Sequence, residues 1–487
     1  MMHKRLLLLM IILGLALNAC APQSRQSVDL LAVLQVTPTP ELPLNFTPFP
    51  TRPAYDPGQL VDYVAQDGDT LPSLAAHFNT SVAEILQANP IIPQDATSMP
   101  PGLPMKIPIY YLPLWGSMYQ IIPDHAFVMG PTLIGFDTQA FVNQHDGWLK
   151  DYSEYAGDAN RSGAGVVDYV ATNFSVSPRL LLAVLEYQSG ALSQPSPPDD
   201  IYPLGYRERY HRGLYLQLVW AANILNNGFY GWRSGNLTQF DHPDGRTERP
   251  DPWQNAASVG VQYYYSRLYS GDKYLQATGP NGLAQTYAEL FGDPWQSDAV
   301  IIPGSLQQPR FTLPFESGRS WNFTGGPHTG WGAGEPYAAI DFAPTGVTQC
   351  TATGEWVIAM ADGQVVREDT GVLVLDLDGD GNERTGWVIF YLHIRSDEKV
   401  ALGAYVHAGD RLGHPSCEGG ESTGTHVHIA RKYNGEWIPA DGPLALNLSG
   451  WVAHNGSRPY LGTLTRDALT VTASDKAEIQ SLITAGE

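Results

Sequence analysis

The spacing of apolar residues changes character several times along the chain, and each change predicts a different kind of segment. An unbroken apolar run at 6–17 gives way to 21–57, where periodicity is lost and Pro38, Pro40, Pro43, Pro48, Pro50, Pro53 and Pro57 recur. Proline fixes φ and removes a backbone donor, so this stretch predicts an extended tether without a fold, reaching on the order of 100 Å at about 3.1 Å per residue. Between 61 and 109 the pattern predicts strand, helix, helix, strand. Val61-Asp62-Tyr63-Val64 opens it, and Asp69 or Thr70 in the turn Asp67-Gly68-Asp69-Thr70 caps a helix bearing Leu71, Leu74, Ala75 and Phe78. Val82, Ile85, Leu86 and Asn89 repeat the helical spacing, and Leu103-Pro104-Met105-Lys106-Ile107-Pro108 closes the module. Three- and four-residue spacing then dominates 115–300, at 167–174, 178–185, 214–225, 256–268 and 283–291, predicting a mainly α-helical unit. From Phe311 onward short alternating strands broken by Gly and Pro, such as Val357-Ile358-Ala359, 372–377 and 388–392, predict an all-β unit.

A chain of 487 residues has room for three or so such units. Its 28 basic and 49 acidic residues give a net charge of −21, which excludes a phosphate-tracking nucleic-acid binder built on clustered Lys and Arg. Lys4 and Arg5 ahead of the short apolar run form an export signal, too short to span a bilayer as a helix. Leu17-Asn18-Ala19-Cys20 resembles the lipobox of bacterial lipoproteins, which implies cleavage of 1–20 and a lipid anchor on Cys20 that attaches the chain to a membrane. Asn18 is not the commonest residue at its place, and an uncleaved anchor is the alternative. Either reading puts the bulk of the protein outside the cytoplasm. Cys350 and Cys417 then remain as one candidate disulfide in an oxidising compartment, with two free buried thiols as the alternative.

The module at 58–112 resembles LysM, on Tyr63-Val64, Gly68-Asp69-Thr70-Leu71, Ala88-Asn89, Gly102-Leu103 and Ile107-Pro108. That resemblance implies binding of N-acetylglucosamine-containing glycan such as peptidoglycan, with Gly68, Asp69, Thr70 and Asn89 as candidate contacts. In the helical unit, Glu186-Tyr187-Gln188-Ser189-Gly190 is faintly similar to the catalytic helix end of lysozyme-like lytic transglycosylases. There the acid directly precedes Ser-Gly; here Gln188 holds that place, and a two-residue shift turns Glu186 about 200° away around the helix. The unit therefore reads as a spacer or glycan-contacting element.

The β unit carries the chemistry. His426 and His428 in Thr425-His426-Val427-His428-Ile429 lie two apart on a strand, so both project to one face. A hydrolytic zinc needs about three protein ligands and an open position for water, and further histidines beside it can move protons. Five stretches in order resemble the lysostaphin/LytM-type zinc endopeptidases. They are Gly325-Gly326-Pro327-His328 before Ile340-Asp341-Phe342-Ala343-Pro344, then Asp362-Gly363-Gln364-Val365, Tyr391-Leu392-His393-Ile394, Gly409-Asp410-Arg411-Leu412-Gly413 and Ser422-Thr423-Gly424-Thr425-His426-Val427-His428. The resemblance implies one Zn2+ per chain on His328, Asp341 and His428, with His393 and His426 as the catalytic pair, in an enzyme cutting peptide cross-links of peptidoglycan. In that family the first His and the Asp usually stand three residues apart, whereas twelve residues separate His328 from Asp341 here. An excursion between neighbouring strands accommodates this, since a loop whose ends already meet adds little entropy; Glu335 within it is a substitute ligand candidate. Asp376, Asp378 and Asp380 begin a calcium-loop pattern, but Trp387 stands where an EF-hand has Glu, so a plain turn is favoured over a Ca2+ site.

The expected organisation is therefore multidomain. It comprises a signal (1–20), a linker (21–57), a small βααβ LysM module (58–112), a mainly α-helical middle domain (115–300), a C-terminal all-β lysostaphin-like antiparallel-sheet peptidase domain (308–450) and a tail (451–487). Two rivals accompany the peptidase reading: a non-catalytic wall-binding adaptor that activates another hydrolase, and a glycan-strand-cleaving enzyme acting through Glu186.

Overall fold

The computed structural model describes residues 52–113 and 115–486; the export signal, Cys20 and residues 21–51 of the linker lie outside them. Residues 49–487 form one compact unit, and no described helix is long and apolar enough to cross a membrane. The end of the expected tether is tied down rather than free. Arg52 makes hydrogen bonds of 2.5 and 3.0 Å to Asp251, and its guanidinium lies 3.6 Å from the centre of the Trp253 ring.

In the first module β1 (Gln59–Val64) pairs antiparallel with β2 (Pro104–Ile109). Helices α1 (Leu71–His77) and α2 (Val82–Ala88) each begin at a capping box, Thr70 with Ser73 and Ser81 with Glu84, which satisfies backbone donors that a helix start leaves open. Tyr63, Leu71, Leu74, Phe78, Ile85, Ile107 and Ile109 make its core. The β1–α1 turn is pressed against the middle region. His77 stacks on Trp232 at 3.5 Å, Gln66 donates to the Trp253 carbonyl, and the Asp67 carboxylate accepts the N–H groups of Ile301 and Ile302, both at 2.7 Å.

The middle region is built from α3 (Thr138–Asn143), α4 (Gly163–Phe174), α5 (Pro178–Ser189), α6 (Gly213–Ser234), α7 (Ala256–Ser266), α8 (Gly271–Thr278) and α9 (Leu283–Phe291). Two short hairpins interrupt it, β3 (Ser153–Ala156) with β4 (Ala159–Ser162) and β5 (Phe240–Asp241) with β6 (Thr247–Glu248). Helix α6 runs nine residues past the last expected position, through a stretch whose Asn and Gly read as a break. Burial of Phe229, Tyr230 and Trp232 overrides that local preference.

The C-terminal strands are β7 (Ser320–His328), β8 (Ala339–Pro344), β9 (Val357–Ile358), β10 (Gly363–Asp369), β11 (Gly371–Asp376), β12 (Trp387–Ile394), β13 (Tyr405–Val406), β14 (Arg411–Gly413), β15 (Val427–Tyr433) and β16 (Glu436–Trp437). Beyond them come β17 (Asn447–Leu448), β18 (Trp451–Asn455), β19 (Gly462–Arg466), β20 (Leu469–Thr472) and β21 (Leu482–Thr484). The main sheet has the order β13-β10-β11-β12-β15-β8-β7-β21, antiparallel throughout, with β16 as a hairpin arm on β15. The expected tail is thus folded: β17–β20 form a second sheet, and β21 completes the edge of the first.

Every residue of β12 is buried, because the sheet is covered on both sides. Leu373, Leu375, Ile389, Tyr391, Val427 and Ile429 face a core within the β region. Val372, Val374, Phe390, Leu392, Ala430 and Trp437 face the other way, into the same core as the middle helices. The middle region and the sheet therefore share a hydrophobic core and are not beads joined by a spacer.

Candidate metal centre

The centre lies on the sheet face that meets the helices. Leu392, His428 and Asp341 stand opposite one another across β12, β15 and β8, so their side chains share that face. His328 ends β7 opposite Ala339, which makes 329–338 the loop of a β7–β8 hairpin. The long spacing between the first two candidate ligands is absorbed there.

Three atoms converge: His328 Nε2 and His428 Nδ1 at 3.0 Å, His328 Nε2 and Asp341 Oδ1 at 3.4 Å, His428 Nδ1 and Asp341 Oδ1 at 3.3 Å. The other nitrogen of each ring is spent on a carbonyl. His328 Nδ1–H donates to Gly326 O at 2.8 Å and His428 Nε2–H donates to Gly330 O at 3.1 Å. In the neutral rings the facing nitrogens therefore present lone pairs, and the buried Asp341 Oδ1 accepts no hydrogen bond. Donor atoms around a tetrahedral zinc at about 2.0–2.1 Å stand about 3.3 Å apart, which matches this triangle. A cluster of buried lone pairs with no proton among them fits a cation, and carbonyl partners behind the imidazoles are how metal-ligating histidines are oriented.

His426 and His393 complete the site. His426 Nδ1–H donates to Gly424 O at 2.7 Å, and its Nε2 stands 3.8 Å from Asp341 Oδ1. His393 Nδ1–H donates to Glu418 O at 2.8 Å, and its ring centre lies 4.4 Å from that of His426. Strict alternation along β12 would send His393 to the face of Tyr391, away from His428. Instead the pairing with β11 slips by one residue at this point, and His393 adopts φ +66°. A β-bulge with a left-handed residue bends the strand and re-aims the ring. This conformation is unusual for a residue with a Cβ, and such strain collects at functional sites. Sequence pattern carries no signal for it. Tyr460, from the expected tail, is a further member that sequence reasoning missed. It stacks on His328 at 4.1 Å between ring centres and is 53% exposed.

The electrostatics follow from burial and these neighbours. Burial pushes the Asp341 carboxyl up, but His328 and His426 outweigh it and hold Asp341 well below its ordinary range. Burial also disfavours a charged His328, yet the Asp341 carboxylate draws its pKa up on balance. His428 is lowered, chiefly by burial. Burial, then His426 and His428, lowers His393 to about 3, so it is neutral near pH 7 with an unprotonated Nε2.

The other candidate residues are placed elsewhere. Glu335 accepts a hydrogen bond from Asn236 and is not part of the triangle. Asp376, Asp378 and Asp380 accept backbone N–H groups of Asp378, Gly381, Asp380 and Asn382 in the β11–β12 turn, and calcium gains no support. In the first module, Asp69 is buried against the Tyr63 hydroxyl and Gln66 N–H, Thr70 caps α1, and Asn89 is paired with Ile85 O and Lys106. A Cβ on Gly68 would sit 2.3 Å from the Arg233 guanidinium. These four positions are therefore occupied by contacts within the chain. Glu186 is likewise engaged, accepting from Leu192 N and Ser193 Oγ and so closing the turn after α5.

Cys350 and Cys417 are joined, their Cα atoms 5.7 Å apart. The bridge lies beside Glu418, whose carbonyl holds His393, and beside Thr425, whose N–H donates to Gln349 O. Replacing both cysteines with serine is expected to remove about 2–4 kcal/mol of stability, since the closed loop is long. Thermal melts of the oxidised protein and the double variant check this; coincident melts would refute it.

Comparison with known proteins agrees with the site. Residues 120–304 match the family described as LasA, N-terminal domain, and residues 63–108 match the LysM domain. The chain is 28% identical to Protease LasA of Pseudomonas aeruginosa over 366 residues, covering 69% of this chain and 80% of that protein. It is 30% identical to Beta-lytic metalloendopeptidase of Achromobacter lyticus over 161 residues, covering 31% of this chain and 39% of that one. Among solved structures it is similar to the M23 metalloprotease pseudoalterin from the deep sea, with 24% identity, a TM-score of 0.29, and coverage of 34% of this chain and 96% of that one. It is also similar to the catalytic domain of lysostaphin from Staphylococcus simulans, with 23% identity, a TM-score of 0.18, and coverage of 25% and 89%. The residues that could hold a metal thus lie in a chain similar to a protease and, over about a third of its length, to a metalloendopeptidase. More particularly, the chain joins a segment that matches the LysM domain to one that matches the LasA N-terminal domain, within a longer stretch similar to Protease LasA. The middle region, expected to be faintly lysozyme-like, matches the LasA N-terminal domain instead.

Proposed function

We propose that this protein is an exported zinc endopeptidase that hydrolyses peptide cross-links of bacterial peptidoglycan. Its LysM module holds wall glycan, and Cys20 carries a lipid that anchors it outside the cytoplasm. The observation that carries the reading is the buried triangle of His328 Nε2, Asp341 Oδ1 and His428 Nδ1. These three residues would hold one zinc. When bound, such an ion acidifies water and polarises the scissile carbonyl.

The remaining work falls to the chain's own groups. His426 and His393 each have Nδ1–H fixed on a carbonyl, so each offers Nε2 to the reaction. One takes the proton of the attacking water. The imidazolium so formed donates to the oxygen that becomes negative as the peptide carbonyl turns tetrahedral and then gives its proton to the leaving amine, while the other ring, neutral, lines the same space. A complete ligand set argues against a metal-free adaptor, and the engagement of Glu186 argues against glycan cleavage.

Digestion of defined cross-linked muropeptides, followed by mass spectrometry, tests this. The expected products have new amino termini, are lost with a chelator and return with zinc. Anhydro-sugar ends, or turnover unaffected by chelation, would overturn it.

A further inference from the structure

The hairpin loop between His328 and Asp341 contributes the carbonyl that orients a ligand, yet it holds itself together with few bonds. Within it, Thr329 Oγ1 donates to Trp331 O, and Gly330 N and Ala338 N reach Pro336 O. Its firmest polar anchors lie outside, on helix α6. Ala333 N–H donates to Asn223 Oδ1 and Glu335 N–H donates to Asn227 Oδ1, both at 2.7 Å. The two asparagines are four residues apart, one above the other on a single face of the helix. The loop's glycines are shaped to this contact. Gly332 and Gly334 have φ of +84° and +91°, and a Cβ on them would come within 2.5 Å of Asn223 Oδ1 and 2.0 Å of Asn227 Oδ1. Trp331 adds an edge-on contact to Phe390 at 5.9 Å.

We infer that Asn223 and Asn227 are positioning residues of the metal centre. Resting on the reading of that centre given above, the inference runs through one chain of contacts. The asparagine pair fixes the loop backbone, the loop fixes Gly330 O, and Gly330 O takes the Nε2 proton of His428. Nδ1 is then left bare toward Asp341 and His328. The middle region thereby helps set which nitrogen of a ligand faces the ion. Removing the direct partner of a ligating imidazole typically changes metal affinity about 10–100-fold, which sets the upper range for residues that act through that partner.

The test compares Asn223→Leu/Asn227→Leu with Asn223→Asp/Asn227→Asp in the full chain. Aspartate keeps the accepting oxygen at each place, whereas leucine removes it. Two readouts are taken: zinc affinity by competition with a chelator, and the His428 tautomer by nitrogen NMR on the metal-free protein. The leucine pair is expected to bind zinc more weakly, by up to about 10–100-fold, and to lose the pure Nε2–H tautomer, and the aspartate pair to stay close to wild type in both. A leucine pair with wild-type affinity and tautomer overturns the inference. If that pair fails to fold, the milder Asn227→Ala variant carries the same two readouts, and wild-type values there overturn it equally. A wild-type protein that takes up no zinc would sink the reading of the centre, while the His428 tautomer would still decide the positioning role.

Discussion

A His428→Ala chain is expected to emerge without its metal and with turnover no higher than that of chelated wild type. The triangle then loses one corner, and the remaining two donors leave an incomplete site. His426→Ala is the informative contrast. It should keep the metal, because His426 Nε2 lies outside the triangle, and lose about 10²–10⁴-fold in rate as a proton-transfer group. Elemental analysis beside a muropeptide assay separates the two; equal metal loss in both variants would contradict the division into ligands and proton carriers. A pH effect accompanies this. The Asp341 carboxylate draws the His328 pKa upward, so protons compete with a metal for that ring more strongly than they would for a free imidazole. Affinity should therefore fall as pH falls.

The second large effect is expected at Arg233, where the three regions meet. Its guanidinium donates to Glu436 at 3.0 and 3.1 Å and lies 3.2 Å from Asp124, all three side chains being at most 7% exposed. Removing one partner of a buried pair typically destabilises by about 3–5 kcal/mol, because the other charge is stranded. Arg233→Met should lower stability by about that much, and adding Glu436→Gln should restore part of it. Burial also raises Glu436 from 4.5 to about 7 and Asp69 from 3.8 to about 7. A carboxyl with a raised folded pKa binds more protons folded than unfolded. Its contribution is thus complete below the unfolded value and lost as pH rises through about 7. Calorimetry from pH 5 to 8 should show this junction weakening toward alkaline pH; stability rising across that window would refute the assignment.

Much of this was legible in the sequence, for definite reasons. The helix spacing of Leu71 and Leu74, and the unbroken apolar run through 388–392, report local patterns that the fold keeps as a helix and a fully buried strand. The two-residue step from His426 to His428 is geometry that any strand enforces. What could not be read arises from contacts between distant segments. The left-handed turn at His393 depends on a slip in pairing with β11. The stacking of Tyr460 on His328 joins residues more than a hundred positions apart. The LysM-like turn gave no hint that Arg233 would lie against Gly68 or that Ile301 and Ile302 would donate to Asp67, because nothing local distinguishes a contact-bearing turn from a free one.

The strand that ends in His328 would be a margin of the sheet were it not for β21, which pairs Leu482 with Asn322, Ile483 with Trp321 and Thr484 with Ser320. The last few residues therefore act as a hem. Removing that strand would leave a row of unsatisfied amides and carbonyls along β7, a template on which a second chain could add a strand. Pairing with β21 thus guards the outer side of β7 against self-association.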